Sequence, residues 1–334
     1  MREPAFWHQR GSWLAWLLMP FGAVYGELTA MRMRNKGLAP GVPVICVGNY
    51  HVGGAGKTPT TLALVALLRD IGENPVVLSR GYGGRLKGPV SVDGIRHTAA
   101  DVGDEPLMMA RDVAVVIARD RVEGAALARS RNASVIVMDD GFQNPTLAKD
   151  ISFIVIDGDR GLGNGFTFPA GPLRAPLDGQ IAMTDALVVI GDGMAAAGVA
   201  ALVTAQGKPE LRARLVPDAA GVEALKGQRV LAFSGIGDPA RFIRTLRAAG
   251  LDVAAHRAFA DHHVFTDAEM SSLRDQASRD RLTLVTTQKD LARLGVAGEG
   301  ILSFAVTLTF DDAAALKLFV MERLNKARAN LRLG

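Results

Sequence analysis

One glycine-rich turn constrains this chain more than any other feature: Val52-Gly53-Gly54-Ala55-Gly56-Lys57-Thr58-Pro59. A short run of apolar residues, 44–47, precedes it, and an apolar-rich segment of helical length, 60–70, comes after it. A strand that enters a helix through several glycines, with lysine and a hydroxyl residue at the junction, aims backbone N–H groups at an anion. The N-terminus of the following helix adds partial positive charge. Lys57 then reads as the cation that reaches the β- and γ-phosphates of a nucleotide, and the Thr58 hydroxyl as a Mg²⁺ ligand. Pro59 falls in the first turn, where the missing N–H costs nothing. Gly53, Gly54, Ala55, Gly56, Lys57, Thr58 and Pro59 form the candidate nucleotide-binding set. The strict phosphate-loop pattern starts with glycine where this chain has His51, but the remaining glycines keep the chemistry. The competing reading is a flexible turn with an incidental lysine, and the strand–turn–helix context speaks against it.

The rest of the chain fits that context. Short Val- and Ile-rich runs at 75–78, 113–117, 135–138, 151–156 and 186–190 alternate with helix-length segments. This pattern predicts a mostly parallel sheet covered on both faces. The expected fold is therefore α/β, a phosphate-loop NTPase-type domain over residues 37–225. A polar stretch near 217–227 marks a boundary. Beyond it a second series predicts a smaller α/β domain over 226–334: strands at 230–233, 283–286 and 302–306, with helices at 239–249, 267–278 and 312–327. A phosphate loop needs a carboxylate at the end of a neighbouring strand to complete the Mg²⁺ shell. Asp139, the first of two aspartates ending the run Ser134-Val135-Ile136-Val137-Met138, is the candidate.

All three tryptophans, Trp7, Trp13 and Trp16, crowd into residues 1–36. The apolar run 13–25 is interrupted by Pro20 and Gly22 and followed by Arg32, Arg34 and Lys36. A spanning helix needs about 20 apolar residues, so the run reads as a membrane-associated helix lying on or dipping into a lipid surface. Two alternatives stand beside that reading. One is a core helix. The other is a signal peptide, with Arg2 and Arg10 as its basic region and Ala30 near a cleavage site. Lys plus Arg exceed Asp plus Glu by 38 to 34, a small surplus that suits an anionic partner. No nucleic-acid partner is expected. Cys46 is the only cysteine, which excludes an intrachain disulfide and a multi-cysteine metal site.

Further motifs occur in a fixed order. They are Val47-Gly48-Asn49, Ser79-Arg80-Gly81-Tyr82-Gly83-Gly84, Gly103-Asp104-Glu105-Pro106, Asp139-Asp140-Gly141-Phe142-Gln143, Gly171-Pro172-Leu173-Arg174 and Asp261-His262. With the N-terminal apolar helix, they make nearly the whole chain resemble the tetraacyldisaccharide 4′-kinases, the lipid A 4′-kinase family. The resemblance implies a kinase using Mg²⁺ and ATP. The acceptor it implies is the 4′-hydroxyl of a tetra-acylated glucosamine disaccharide 1-phosphate, the lipid A disaccharide precursor. The enzyme would be peripheral (monotopic), at the cytoplasmic face of the inner membrane, with protein partners left open. It further implies that Lys57 acts in catalysis, and that Glu105 and Asp139 serve the metal region together with Thr58. Asp104 would be the catalytic base, supported by His262 from the second domain. Asn49, Tyr82, Arg121, Gln143 and Arg174 would line the site. Two positions depart from the family pattern: Asn144 stands where histidine is usual, and Ala175 where an acid is usual.

Without the resemblance, Asp104 reads as a helix N-cap and His262 as a solvated loop residue. Gly235-Ile236-Gly237-Asp238-Pro239-Ala240 imitates a dinucleotide fingerprint, but no acid follows about 20 residues on. Thr287-Gln288-Lys289-Asp290 imitates a guanine-specificity motif without its spacing. A soluble phosphate-loop kinase for another small acceptor and a nucleotide-switched assembly ATPase are the alternative functions.

Overall fold

The computed structural model describes residues 3–9 and 11–333. Arg2 and Arg10, the basic residues of the signal-peptide reading, lie outside the described residues.

The strands are β1 (Val44–Gly48), β2 (Pro75–Ser79), β3 (Val90–Ser91), β4 (Val115–Ile117), β5 (Val135–Asp139), β6 (Ile151–Asp157), β7 (Ala186–Ile190), β8 (Glu210–Pro217), β9 (Arg229–Ser234), β10 (Asp252–Ala258), β11 (Thr283–Thr287), β12 (Leu302–Phe304) and β13 (Val306–Phe310). Nine of them form one sheet in the order β13-β8-β7-β6-β1-β5-β2-β4-β3, and four form a second in the order β10-β9-β11-β12. The large sheet is parallel except at its edges, where β3 pairs antiparallel with β4 and β13 with β8. The small sheet is parallel throughout. In β1, β2, β5, β6 and β7 every residue is buried, the signature of a strand covered on both faces. β1 lies between β5 and β6, so the loops leaving β1 and β5 emerge at the middle of the sheet's carboxyl edge, where α/β folds bind ligands.

The expected strand at 302–306 is two strands on different sheets. β12 ends in the small sheet at Phe304, and β13 starts at Val306 in the large one. The helix Ala313–Leu333 then packs Leu316, Val320 and Leu324 into the core shared by Leu64, Val137 and Val155. Residues 306–333 thus return to the large domain, a departure from the continuous 226–334 unit expected from sequence. The cause is long-range: Leu308 and Phe310 are buried only because β8 and the helix Lys57–Asp70 offer them a core.

The N-terminal helix runs Trp13–Met33, 21 residues, straight through Pro20. It is long and apolar enough to cross a membrane by length and composition. One face carries Gly22 and Gly26, which pack on Thr167, and the Gly22 carbonyl accepts a hydrogen bond from Thr167 Oγ1 at 2.6 Å. A Cβ on Gly22 would lie 2.7 Å from the Thr167 carbonyl oxygen, so the close approach requires glycine. The other face leaves Trp13, Trp16, Leu17, Phe21, Val24 and Leu28 exposed. Within the chain, it is not a core helix.

Leu324, 1% exposed on the returning helix, tests that packing. Leu324→Ala should lower the unfolding free energy by about 2–5 kcal/mol in denaturant titration. A loss below about 1 kcal/mol would place the helix outside the core.

Candidate active site

The loop after β1 is shaped by two left-handed glycines, Gly53 (φ 111°) and Gly56 (φ 95°). A Cβ on Gly56 would sit 2.5 Å from Ile190 Cδ1, so glycine lets the loop press on the end of β7. Asn49 is buried and its Nδ2 donates to the Gly53 carbonyl at 3.1 Å, closing the loop from below. The Val52 N–H donates to the Pro172 carbonyl at 2.8 Å and ties the loop to the 171–174 segment. Burial, with the charges of Lys57 and Arg174 beside it, pushes the His51 imidazole down to about 3, so it is neutral.

β5 delivers Asp139 and Asp140 beside this loop: Val47 is in register with Asp139, and the Asp140 N–H donates to the Val47 carbonyl. The two carboxylates have opposite environments. Asp140 takes paired hydrogen bonds from Arg174, Nη1 at 2.7 Å and Nη2 at 3.2 Å, and lies 3.8 Å from Lys57 Nζ. Burial alone would raise its pKa, but the Lys57 and Arg174 charges outweigh it and hold Asp140 below the usual carboxylate range. Asp139 is pushed well above that range by burial and by the negative charges of Glu105 and Asp140. Ser79 Oγ donates to Asp139 Oδ2 at 3.4 Å, while Asp139 Oδ1 is buried without a hydrogen-bond partner.

That orphaned oxygen in a cluster of like charge suits a hard divalent cation. Among the described residues no three His, Cys, Asp or Glu side chains are already gathered as a metal cage. Mg²⁺ characteristically takes one or two carboxylates and completes its shell with water and substrate phosphates. The donor set therefore fits.

Around this centre, Gln143 Nε2 donates to the Asn49 carbonyl at 2.8 Å and to Gln180 Oε1 at 2.9 Å, and its Oε1 accepts from Arg174 Nη1 at 3.1 Å. Arg121 is buried, with Nη1 donating to the Ala118 carbonyl at 2.8 Å.

The second cluster spans the two domains. Asp104 opens the short helix Asp104–Met109, and its Oδ1 accepts from the Glu105 N–H at 3.0 Å. Its Oδ2 faces the small domain, where it meets His262 Nδ1 at 3.1 Å and the Arg293 guanidinium, with Lys289 Nζ at 4.0 Å. Burial would raise the Asp104 pKa, yet the hydrogen bond from His262 and the charges of Lys289 and Arg293 prevail, so it stays ionised. Lys289 Nζ also donates to Glu105 Oε1 at 2.9 Å and lies 3.3 Å from His262 Nε2. The Tyr82 ring, largely exposed, stands edge-on to His262 with centroids 5.5 Å apart.

Residues 14–325 match the model of the tetraacyldisaccharide-1-P 4′-kinase family. The chain belongs to that family. It is 67% identical over 338 residues to the tetraacyldisaccharide 4′-kinase of Rhodopseudomonas palustris strain HaA2, covering 100% of both chains. It is 65% identical over 331 residues to that of Bradyrhizobium diazoefficiens, covering 98% of both. Among solved structures it resembles LpxK from Aquifex aeolicus, described as a complex with ATP, with a TM-score of 0.72 and 29% identity over 93% of this chain and 99% of that one.

In this family member, the residues picked out from sequence form two neighbouring groups. Asn49, Gln143, Arg174 and Asp139 surround the phosphate loop, with Arg121 close enough to Asp139 for their charges to interact. Asp104, Glu105, Tyr82 and His262 form the second group. Glu105 joins them, because its charge acts on Asp139 while its carboxylate holds Lys289. Sequence reasoning missed Lys289 and Arg293. A signal for Lys289 lies in the Thr287–Asp290 stretch, whose likeness to a guanine motif hides it. Sequence reasoning missed the Asp140 pairing as well, though Asp140 lies next to Asp139.

The Asp139 environment has a pH consequence. A raised pKa means the folded protein keeps a proton that the unfolded chain releases from about pH 4 upward, so stability falls as pH climbs through that window. Asp139→Asn removes the titrating group. Without nucleotide or metal, this variant should melt above the parent at about pH 8 and level with it near pH 4. Equal melting at both pH values would show that the carboxyl is not raised.

Proposed function

We propose that this protein transfers the γ-phosphoryl group of ATP to the 4′-hydroxyl of a tetra-acylated glucosamine disaccharide 1-phosphate at a membrane surface. The observation that carries the reading is Asp104. It is a buried carboxylate at the domain junction, oriented by a histidine from the opposite domain and linked through Glu105 to the carboxylates beside the phosphate loop.

In this mechanism the loop N–H groups and Lys57 hold the phosphates. Arg174 and Lys57 keep Asp140 ionised. Asp104 accepts the hydroxyl proton, and His262 fixes the carboxylate's orientation. Asp104 is held at low pKa, so it is a weak base at the outset. Phosphoryl transfer passes through a loose transition state in which the hydroxyl loses its proton late, so aligning that hydroxyl matters more than prior deprotonation. Bound Mg²⁺, which Thr58, Asp139 and Glu105 would hold, would neutralise charge developing on the phosphates.

The exposed aromatic face of the helix Trp13–Met33 favours a lipid acceptor over a soluble one. Trp16 stacks edge-on with Phe166 and Tyr25 with Phe168, and the same segment leads into Arg174 at the site. An apolar face joined to the phosphate site through residues 164–174 suits an acceptor whose acyl chains stay in lipid while its sugar reaches the cleft. Arg32, Arg34 and Lys36 at the helix end suit an anionic surface, here the cytoplasmic face of the inner membrane.

The assay is direct. Purified protein with Mg²⁺, γ-labelled ATP and the lipid disaccharide monophosphate should move label into the lipid, and Lys57→Ala should not. ATP consumption with no labelled lipid would overturn the proposal.

Asp104→Ala and His262→Ala should each lower kcat by roughly 10²–10⁴-fold with ATP affinity little changed. Their double variant should be far less impaired than the product of the two. Unchanged kcat beside a lowered melting temperature would reduce the pair to a structural contact. Removing residues 1–33 should shift the protein from the membrane to the soluble fraction. High salt on the full chain should release only part of it, because apolar burial is unscreened. Complete release by salt would leave only an electrostatic contact.

A further inference from the structure

The segment ahead of the apolar helix is docked on the catalytic domain. Trp7 is buried, its Nε1 donates to the Pro169 carbonyl at 3.1 Å, and its carbonyl accepts from the Asn164 N–H at 2.6 Å. This docking carries Glu3 to the phosphate loop. Glu3 Oε1 fills the space that a Cβ on Gly53 would occupy. Glu3 Oε2 pairs with the Arg160 guanidinium and lies 2.8 Å from His8 Nε2.

Arg160 comes shortly after β6, the strand beside β1. With Asp159, Gly237, Asp238 and Arg244 it lines an open cleft of about 640 Å³ between the two domains. It is also near enough to the loop for its charge to act on His51. An arginine thus stands over a phosphate loop, and the carboxylate neutralising it comes from outside that loop.

We propose that Glu3 is a built-in stand-in for a nucleotide phosphate, and that Arg160 is the phosphate-binding residue it masks. Nucleotide enters by displacing Glu3 and taking over Arg160. The inference rests only on the ATP-binding half of the function proposed above. Its chemistry is an exchange of acceptors. Guanidinium binds carboxylate and phosphate in the same forked geometry, and a triphosphate brings more charge and more oxygens. Without nucleotide, the carboxylate keeps a partly buried arginine from standing unpaired. With nucleotide, it competes intramolecularly and lowers apparent affinity by the fraction of protein in which the site is covered. Gly53 gives this exchange its room, since any side chain there would meet Glu3.

The test is calorimetric titration of the full chain with Mg²⁺ and ATP at fixed salt and without acceptor. Glu3→Gln keeps the shape but removes the charge, and should tighten ATP binding by about three- to tenfold. Arg160→Gln should weaken it by about tenfold or more. Adding Glu3→Gln to Arg160→Gln should then change nothing further, because the competitor acts through that arginine. A merely structural Glu3 predicts the opposite sign, with a looser N-terminal segment and equal or weaker ATP binding. Unchanged or weakened binding in Glu3→Gln overturns the inference, as does unchanged binding in Arg160→Gln. Should Arg160→Gln melt far below the parent, the sign of the Glu3→Gln effect decides alone, since that variant leaves Arg160 in place. A parent protein that binds no ATP would overturn the nucleotide reading and this inference together. A parent that binds ATP as its variants do overturns this inference alone.

Discussion

The Asp104 carboxylate holds the two halves of the molecule in a working relation. It is buried on the large domain, and its outward oxygen meets an imidazole, a guanidinium and an ammonium from the small one. Burying charge is expensive, and a pair of this kind adds little net stability over apolar packing. What it supplies is direction. Removing Asp104 would take away the carboxylate on which His262, Lys289 and Arg293 converge, so the domains meet in one register. A second ion pair, Arg241 Nη1 to the buried Asp157 at 2.7 Å, joins the domains through β6. The junction is fixed by charges rather than by a shared apolar core, and the two sheets keep separate clusters of buried side chains. A charged junction can open and re-form around a ligand at less cost than an apolar one, as a kinase that must admit two substrates requires.

The parts legible in the sequence were those whose causes are local. The glycine-rich turn between β1 and the helix Lys57–Asp70 announces itself because its glycines, lysine and threonine lie within eight residues. The fully buried strands β1, β2, β5, β6 and β7 were visible as Val- and Ile-rich runs. What stayed hidden depends on distant partners. β8 carries Arg212 and Arg214 at the exposed positions of an alternating pattern, so it lacks the continuous Val- and Ile-rich run that marked the buried strands, and it is held between β7 and β13. β10 exposes most of its residues as an edge strand and lacks an apolar run. The return of residues 306–333 to the large sheet has no local marker. The contact between Asp104 and His262 was reachable only through family resemblance, because nothing near either residue separates a carboxylate at a domain junction from a helix cap, or a paired loop histidine from a solvated one. Lys289 and Arg293 had neither a local motif of their own nor a place in that resemblance.

The N-terminal helix shows how a breaker residue misleads. Pro20 and Gly22 shorten the apolar run on paper, but Pro20 is tolerated within the helix and Gly22 is selected by close contact with Thr167. The glycines face the protein, Trp16 and Tyr25 touch it edge-on, and Trp13 and Phe21 face away. The helix is therefore a strip held against the catalytic domain along one edge, with its apolar side outward. On the proposed function, that arrangement solves a geometric problem. The acceptor's acyl chains stay in lipid, so the cleft must come to the membrane. The 164–174 segment does this by touching the helix at Thr167, the phosphate loop at Pro172 and the Asp140 carboxylate through Arg174.

The same segment explains why the first residues of the chain bear on the phosphate site at all. Trp7 packs on the 164–170 stretch, and its ring stands edge-on to Phe168, which also meets the Tyr25 ring of the apolar helix. The apolar helix, the 164–174 segment and residues 3–8 therefore form one packed body, and packed bodies pass on displacements instead of absorbing them. A shift of the helix relative to the sheet moves Glu3 relative to Gly53. Because the Glu3–Arg160 pair lies at the phosphate loop, that shift acts on the charge a nucleotide meets. On the proposed function and the role proposed for Glu3, lipid contact and nucleotide binding are then linked through the same few residues. Such linkage is reciprocal: whatever the bound nucleotide does to the position of residues 3–8, it does equally to the preference of the helix for a lipid surface.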